Sequence, residues 1–118
     1  MQSVASRLDN WLARLEKCSP EEINLGLERV ELVLRRLNLE LPDTVFHVAG
    51  TNGKGSSVAM LESLLLQTGV CVGAYTSPHL LRYNERIRIN GCDVTDETIV
   101  AAFERIETVR DDVQLTYF

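Results

Sequence analysis

The sequence predicts an α/β fold: a Rossmann-like parallel sheet carrying a phosphate-binding P-loop, with a helical segment in front of it. Three observations predict this. The apolar run Val45-Phe46-His47-Val48-Ala49 leads straight into Gly50-Thr51-Asn52-Gly53-Lys54-Gly55-Ser56-Ser57. Behind that turn Val58, Leu61, Leu64, Leu65 and Thr68 recur at helical spacing and stop at Gly69. A second apolar run, Val70-Cys71-Val72-Gly73-Ala74-Tyr75-Thr76, follows at once. Strand, helix, strand with short joins is a βαβ unit, so parallel strands with a right-handed crossover are expected.

The N-terminal segment reads as two helices. Leu8, Trp11, Leu12 and Leu15 fall on one helical face. Ser19-Pro20-Glu21-Glu22 has the form of a helix start, and Ile23, Leu27, Val30, Leu34 and Leu37 continue as an apolar stripe. Glu28, Arg29, Glu31, Arg35 and Arg36 are expected to turn mostly outward. Gly26 interrupts the stripe, which allows the regular helix to begin there instead. Pro42-Asp43 closes the segment.

After the second strand, Ile87 and Ile89 alternate with Arg86, Arg88 and Asn90. Asn90-Gly91 is a hairpin signal, with Cys92-Asp93-Val94 as the return strand. Thr95 is placed to cap a helix whose first turn holds Asp96 and Glu97 and whose apolar face is Ile99, Ala102, Phe103 and Ile106. The expected organisation is therefore a helical segment over 1–42 and a P-loop βαβ unit, hairpin and helix over 43–118. Val113 to Phe118 ends on an aromatic pair with no closing element, which reads as a truncated, incomplete domain.

Composition narrows the function classes. The 118 residues carry a net charge of −5, an acidic balance that does not suggest a nucleic-acid partner. No apolar run approaches the roughly 18 residues of a membrane helix, and the N-terminus lacks the pattern of a signal peptide. Cys18, Cys71 and Cys92 are odd in number without metal-ligand spacing, and read as reduced thiols of a cytoplasmic protein.

The glycine-rich turn is where chemistry is expected. Glycines let backbone N–H groups curl round an anion, the following helix aims its N-terminal dipole at the same point, and Lys54 brings a mobile positive charge to nucleotide phosphates. The usual pattern G-x-x-x-x-G-K-[ST] is departed from twice: Val48 stands for the first glycine, and Gly55 for the hydroxyl residue that binds Mg²⁺. Open β-sheets bind ligands beyond the carboxyl ends of their strands, where Gly50–Ser56 and Ser77-Pro78-His79 both fall. An ordinary β–α turn with a surface lysine is the plainer alternative.

Taken together, Val48 to Ser56, Thr76-Ser77-Pro78-His79-Leu80, Asn84-Glu85-Arg86-Ile87 and Asn90-Gly91 resemble the folylpolyglutamate synthases of the Mur ligase superfamily. Leu25-Gly26-Leu27-Glu28-Arg29 and Leu115-Thr116-Tyr117-Phe118 resemble the bacterial branch that is also a dihydrofolate synthase. The resemblance covers essentially the whole chain. It implies a Mur-type ATPase domain and ATP-dependent amide formation between L-glutamate and dihydropteroate or a folate, through an acyl phosphate.

By the same resemblance Asn52, Gly53, Lys54, Gly55 and Ser56 hold the nucleotide, with Lys54 catalytic. Ser77 ligates Mg²⁺, supplying the hydroxyl that Gly55 lacks; a serine capping the Pro78 turn is the alternative. Ile23, Asn24, Leu25 and Gly26, with Thr116, Tyr117 and Phe118, are implied to meet the pterin. A glutamate and a histidine that complete the metal site, the base contacts and the glutamate-binding domain are implied to lie beyond residue 118. The partners are then small molecules, with no nucleic acid and no membrane. The full-length enzyme is expected to be a monomer, and the 118 residues alone inactive and prone to self-association. His79, Arg82, Glu85 and Arg86 receive no assigned role, a charged strand edge being the simplest account of the last three. Two other readings are a free-standing nucleotide-binding module and a different Mur-type ligase.

Overall fold

A computed structural model of the chain describes residues 3–18 and 26–116. The elements in order are α1 (Val4–Lys17), α2 (Glu28–Leu37), α3 (Lys54–Gln67), β1 (Gly73–Tyr75), a 3-10 turn (Tyr83–Arg86), β2 (Ile87–Ile89), β3 (Cys92–Asp93) and α4 (Asp96–Arg110). They divide into two compact units, Met1–Leu41 with Asp96–Phe118, and Pro42–Thr95.

The first unit is helical, with α1 and α2 each packed on α4. Leu8 is buried, and Trp11, Leu12 and Leu15 are half-buried, as their spacing predicts. The Trp11 and Phe103 rings lie 5.8 Å apart. Arg7 pairs with Glu104 and Arg14 with Glu107, so charged pairs flank the apolar seam between α1 and α4.

The inward face of α2 is not the expected one. Leu27 is 74% and Val30 53% exposed, and Leu34 is exposed too, whereas Val33 is buried. Arg29 and Arg36, expected outside, turn in. Arg29 Nη1 donates to Gln114 O at 3.0 Å, and Arg36 Nη1 donates to Val109 O and Arg110 O at 3.1 and 2.8 Å. The last carbonyls of α4 have no intrahelical donor and carry the negative end of its dipole, which a guanidinium satisfies while its stem covers apolar surface. A single buried valine and two arginines therefore fix the rotation of α2. Its first residue is Glu28, shortly after the alternative start at Gly26; the expected start at Ser19-Pro20 lies outside the described residues.

The second unit holds α3 and a three-stranded sheet in the order β1-β2-β3. Both pairings are antiparallel, with Ala74 opposite Arg88 and Ile89 opposite Cys92. This corrects the expected parallel sheet. Residues 44–50 run toward the loop but join no ladder among the described residues, and Val45 and Phe46 are exposed. The strand after α3 pairs instead with β2, about a dozen residues further on. An antiparallel ladder between near neighbours needs only a short connection, whereas a parallel pair is slightly weaker per residue and depends on cover on both faces.

The hairpin forms where Asn90-Gly91 predicts it. Both residues have left-handed φ, 50° and 80°, as a two-residue turn of this twist requires. Asn90 also closes the far edge: its N–H donates to Val72 O at 2.8 Å, and its Oδ1 accepts from Val72 N–H at 2.9 Å. On α3, Val58, Leu61, Leu65 and Leu66 are half-buried, but Leu64, expected inside, is exposed, and the buried residue is Glu62. The fold is thus α/β, with an antiparallel sheet.

Candidate functional site

The glycine-rich turn passes into α3 at Lys54, its first residue. Gly53 is the N-cap with φ 75° and ψ 3°, a left-handed conformation that suits glycine, and a Cβ there would meet nothing within 4 Å. The Ser57 N–H and Oγ–H both donate to Gly53 O at 3.0 Å. The Ser57 N–H bond is the first of the helix, so the N–H groups of Lys54, Gly55 and Ser56 stand ahead of the intrahelical ladder. Lys54 Nζ donates to Gly50 O at 2.5 Å and reaches Thr51 O at 3.5 Å. The ammonium is therefore folded over the loop that precedes it. Asn52, Gly53, Lys54, Gly55 and Ser56 are all exposed. Positive charge, unladdered N–H groups and a helix N-terminus meet in one short segment, an arrangement suited to phosphate.

Ser77 lies in the loop after β1, in the same unit, and is exposed. Its hydroxyl makes no hydrogen bond among the described residues. No group of three or more His, Cys, Asp or Glu side chains able to hold a metal occurs among the described residues.

The loop carrying Ser77 is anchored by residues to which the sequence assigns no role. Leu80, Leu81 and Arg82 N–H donate to the Glu85 carboxylate at 2.8, 2.9 and 2.7 Å. Those three donors, Leu80 foremost and then Arg82 and Leu81, hold the Glu85 carboxyl below its ordinary range, and His79 adds to the effect. Arg86 Nε donates to His79 Nδ1 at 2.8 Å, and its guanidinium lies 5.5 Å from the Tyr83 ring centre. The signal available in the sequence was a glutamate three residues into a short helical turn, placed to reach back to the N–H groups before it.

Of the residues implied to meet the pterin, Gly26 and Thr116 are half-buried in the helical unit. Thr116 lines a cavity of about 350 Å³ there, together with Trp11, Arg29, Phe103, Glu107 and Arg110. Ile23, Asn24, Leu25, Tyr117 and Phe118 lie outside the described residues. Cys18, Cys71 and Cys92 are free and exposed, and no helix among the described residues is long and apolar enough to cross a membrane.

No family model matches the chain. Similar proteins nevertheless bear out the resemblance carried by the motifs. The chain is 50% identical over 116 residues, 98% of its length, to the dihydrofolate synthase/folylpolyglutamate synthase of Escherichia coli, and it covers 28% of that relative. A solved structure of Escherichia coli FolC in complex with DHPP and ADP superposes on the whole chain with a TM-score of 0.89 at 48% identity, matching 29% of that protein's chain. A bifunctional folylpolyglutamate synthase/dihydrofolate synthase with Mn, AMPPNP and L-glutamate bound gives 0.87 at 46% identity, with 99% of this chain and 28% of that one covered. The chain thus spans somewhat over a quarter of the proteins it resembles.

Proposed function

We propose that the chain forms the phosphate-binding part of an ATP- and Mg²⁺-dependent ligase that adds L-glutamate to dihydropteroate or a reduced folate. The observation that carries this reading is Lys54 at the first position of α3, its ammonium over the Gly50–Thr51 carbonyls and three N–H groups ahead of the helical ladder. That donor set fits polyphosphate oxygens, and the relatives described above were solved with ADP or AMPPNP.

In the proposed reaction a carboxylate oxygen of the pterin substrate attacks the γ-phosphorus of ATP. The bond from phosphorus to the bridging oxygen breaks, and ADP leaves with the electron pair. The amine nitrogen of glutamate then attacks the acyl carbon, phosphate departs with its oxygen, and the nitrogen loses a proton. Lys54 and the N–H groups of Asn52 to Ser56 position the phosphates and offset charge on the transferring group. Mg²⁺, when bound, would share that charge, with the Ser77 hydroxyl among its oxygen ligands. The unbonded Ser77 hydroxyl fits such a role, since Mg²⁺ takes oxygen donors and keeps several waters. Gly26 and Thr116, with their neighbours in the sequence, are assigned to the pterin.

The test replaces the matching segment of the Escherichia coli relative by these 118 residues and measures glutamate ligation. Lys54→Ala in that chimera is expected to lower turnover by about 100-fold or more with folding intact. Near-normal turnover overturns the assignment.

A further inference from the structure

We infer that Glu85 and Arg86 are positioning residues that hold the Ser77 loop in the form in which its hydroxyl can serve a divalent cation. This rests on the reading of Ser77 proposed above and extends it to two side chains outside the phosphate loop.

Glu85 and Arg86 tie the loop from Thr76 to Arg82 at three points, through their main-chain carbonyls at the entrance and through their side chains in the middle and at the exit. At the entrance, Thr76 N–H donates to Arg86 O at 2.8 Å and Thr76 Oγ1–H to Glu85 O at 3.4 Å. In the middle, His79 Nδ1 accepts from Arg86 Nε at 2.8 Å, and the His79 ring meets Tyr83 edge-on at 5.9 Å. At the exit, three consecutive N–H groups converge on the Glu85 carboxylate. Ser77 sits inside this frame, between Thr76 and His79, and contributes no hydrogen bond to it. The frame is thus complete without Ser77, which is left exposed on a backbone fixed on both sides.

The chemistry explains why such a frame matters. A neutral hydroxyl is a weak ligand, and Mg²⁺ demands near-ideal octahedral geometry. A ligand of that kind depends on groups behind it for its placement, and removing such supports costs metal affinity without removing a ligand. A carboxylate that accepts three charge-assisted backbone bonds is the strongest available anchor for a loop with no regular structure.

The experiment uses the same chimera. Turnover is titrated with Mg²⁺ at saturating ATP, Mn²⁺ binding is followed by electron paramagnetic resonance in the presence of AMPPNP, and thermal unfolding is recorded beside them. Glu85→Gln keeps the side-chain shape and removes the charge; Arg86→Lys keeps the charge and removes the Nε–H that reaches His79. Both are expected to raise the Mg²⁺ midpoint and weaken Mn²⁺ binding by about tenfold, with turnover at saturating Mg²⁺ retained. Glu85→Asp, which restores a carboxylate, is expected to recover part of the shift. If Ser77→Ala shifts the metal midpoint and neither loop variant does, the positioning role is overturned while Ser77 stands. If Ser77→Ala shifts nothing, the metal reading of Ser77 falls and takes this inference with it. Variants that lower only the unfolding temperature likewise overturn it.

Discussion

The Glu62 carboxylate, only 6% exposed, is ion-paired with the Arg88 guanidinium, and the bond joins α3 to the middle strand of the sheet. It is a single-pronged contact: among the described residues, Glu62 Oε1 and Arg88 Nε are buried without a hydrogen-bond partner. Because α3 begins at Lys54, this pair connects the helix behind the glycine-rich turn to β2. Breaking a buried pair leaves one charge uncompensated, whereas replacing both members can be neutral or favourable. Glu62→Ala or Arg88→Ala is therefore expected to cost about 3–5 kcal/mol in urea unfolding, the Arg88 variant toward the lower end because that side chain is partly exposed. The double replacement Glu62→Leu with Arg88→Met should lie near the parent. A single variant as stable as the parent would contradict the buried-charge account.

A second expectation concerns Gly55. It lies in the first turn of α3, and a Cβ built there meets nothing within 4 Å. A side chain is thus admitted, and Gly55→Ser gains roughly 0.5 kcal/mol of helix propensity. In the Ser77→Ala chimera, which should need more Mg²⁺ for turnover, adding Gly55→Ser returns a hydroxyl to the place a common P-loop has it. Partial recovery of the Mg²⁺ midpoint is the expected outcome; no movement argues against interchange of the two hydroxyls.

The helical unit should carry an acid-sensitive contact. The Glu107 carboxyl is lowered from 4.5 to about 2, first by the Arg110 side chain, which binds it with two prongs at 2.7 Å, and then by Arg14. The folded-state value is depressed, so the ionised form favours folding. The contribution is fully present above pH 4.5 and disappears as pH falls toward 2. Glu107→Gln should flatten the fall in unfolding temperature across that window relative to the parent. An unchanged slope would show that the pair contributes nothing.

The strand-bearing unit exposes Val45, Phe46, Met60, Leu64 and Tyr75, and β1 is an edge strand. Uncovered apolar surface beside an open edge favours association. We expect the 118 residues alone to self-associate in sedimentation, to bind nucleotide weakly and to ligate no glutamate. A monomer that forms product would overturn this expectation.

Local pattern revealed what local chemistry decides. Asn90-Gly91 sets its own backbone angles, Gly53-Lys54 marks a helix start, and Leu8 falls on the buried side of its helix. The misread features depend on partners distant in the chain. Val33 is buried while Arg36 reaches the carbonyls at the end of α4 and Arg29 the Gln114 carbonyl beyond it, partners that the apolar spacing of α2 does not record. Glu62 is buried because Arg88 lies across from it. The pairing direction of the sheet was misread for a related reason: apolar runs predict strands but carry no statement of which edge finds which neighbour. In the candidate site, Lys54 and Ser77 were visible as motif residues, whereas Glu85 showed only as a glutamate three residues into a short turn, a pattern that does not record which N–H groups converge on it.

The two hydrogen bonds between Asn90 and Val72 have a last consequence. One residue supplies the turn conformation and also reads the opposite strand twice, once through its backbone and once through its amide. A slip of the ladder by one position would leave both halves of that reading unmatched and turn every side chain of β1 to the other face. The hairpin tip therefore works as a vernier: a mark at one end by which the alignment of the whole small sheet is checked. Asn90→Gly would keep the backbone half of the mark and erase the amide half.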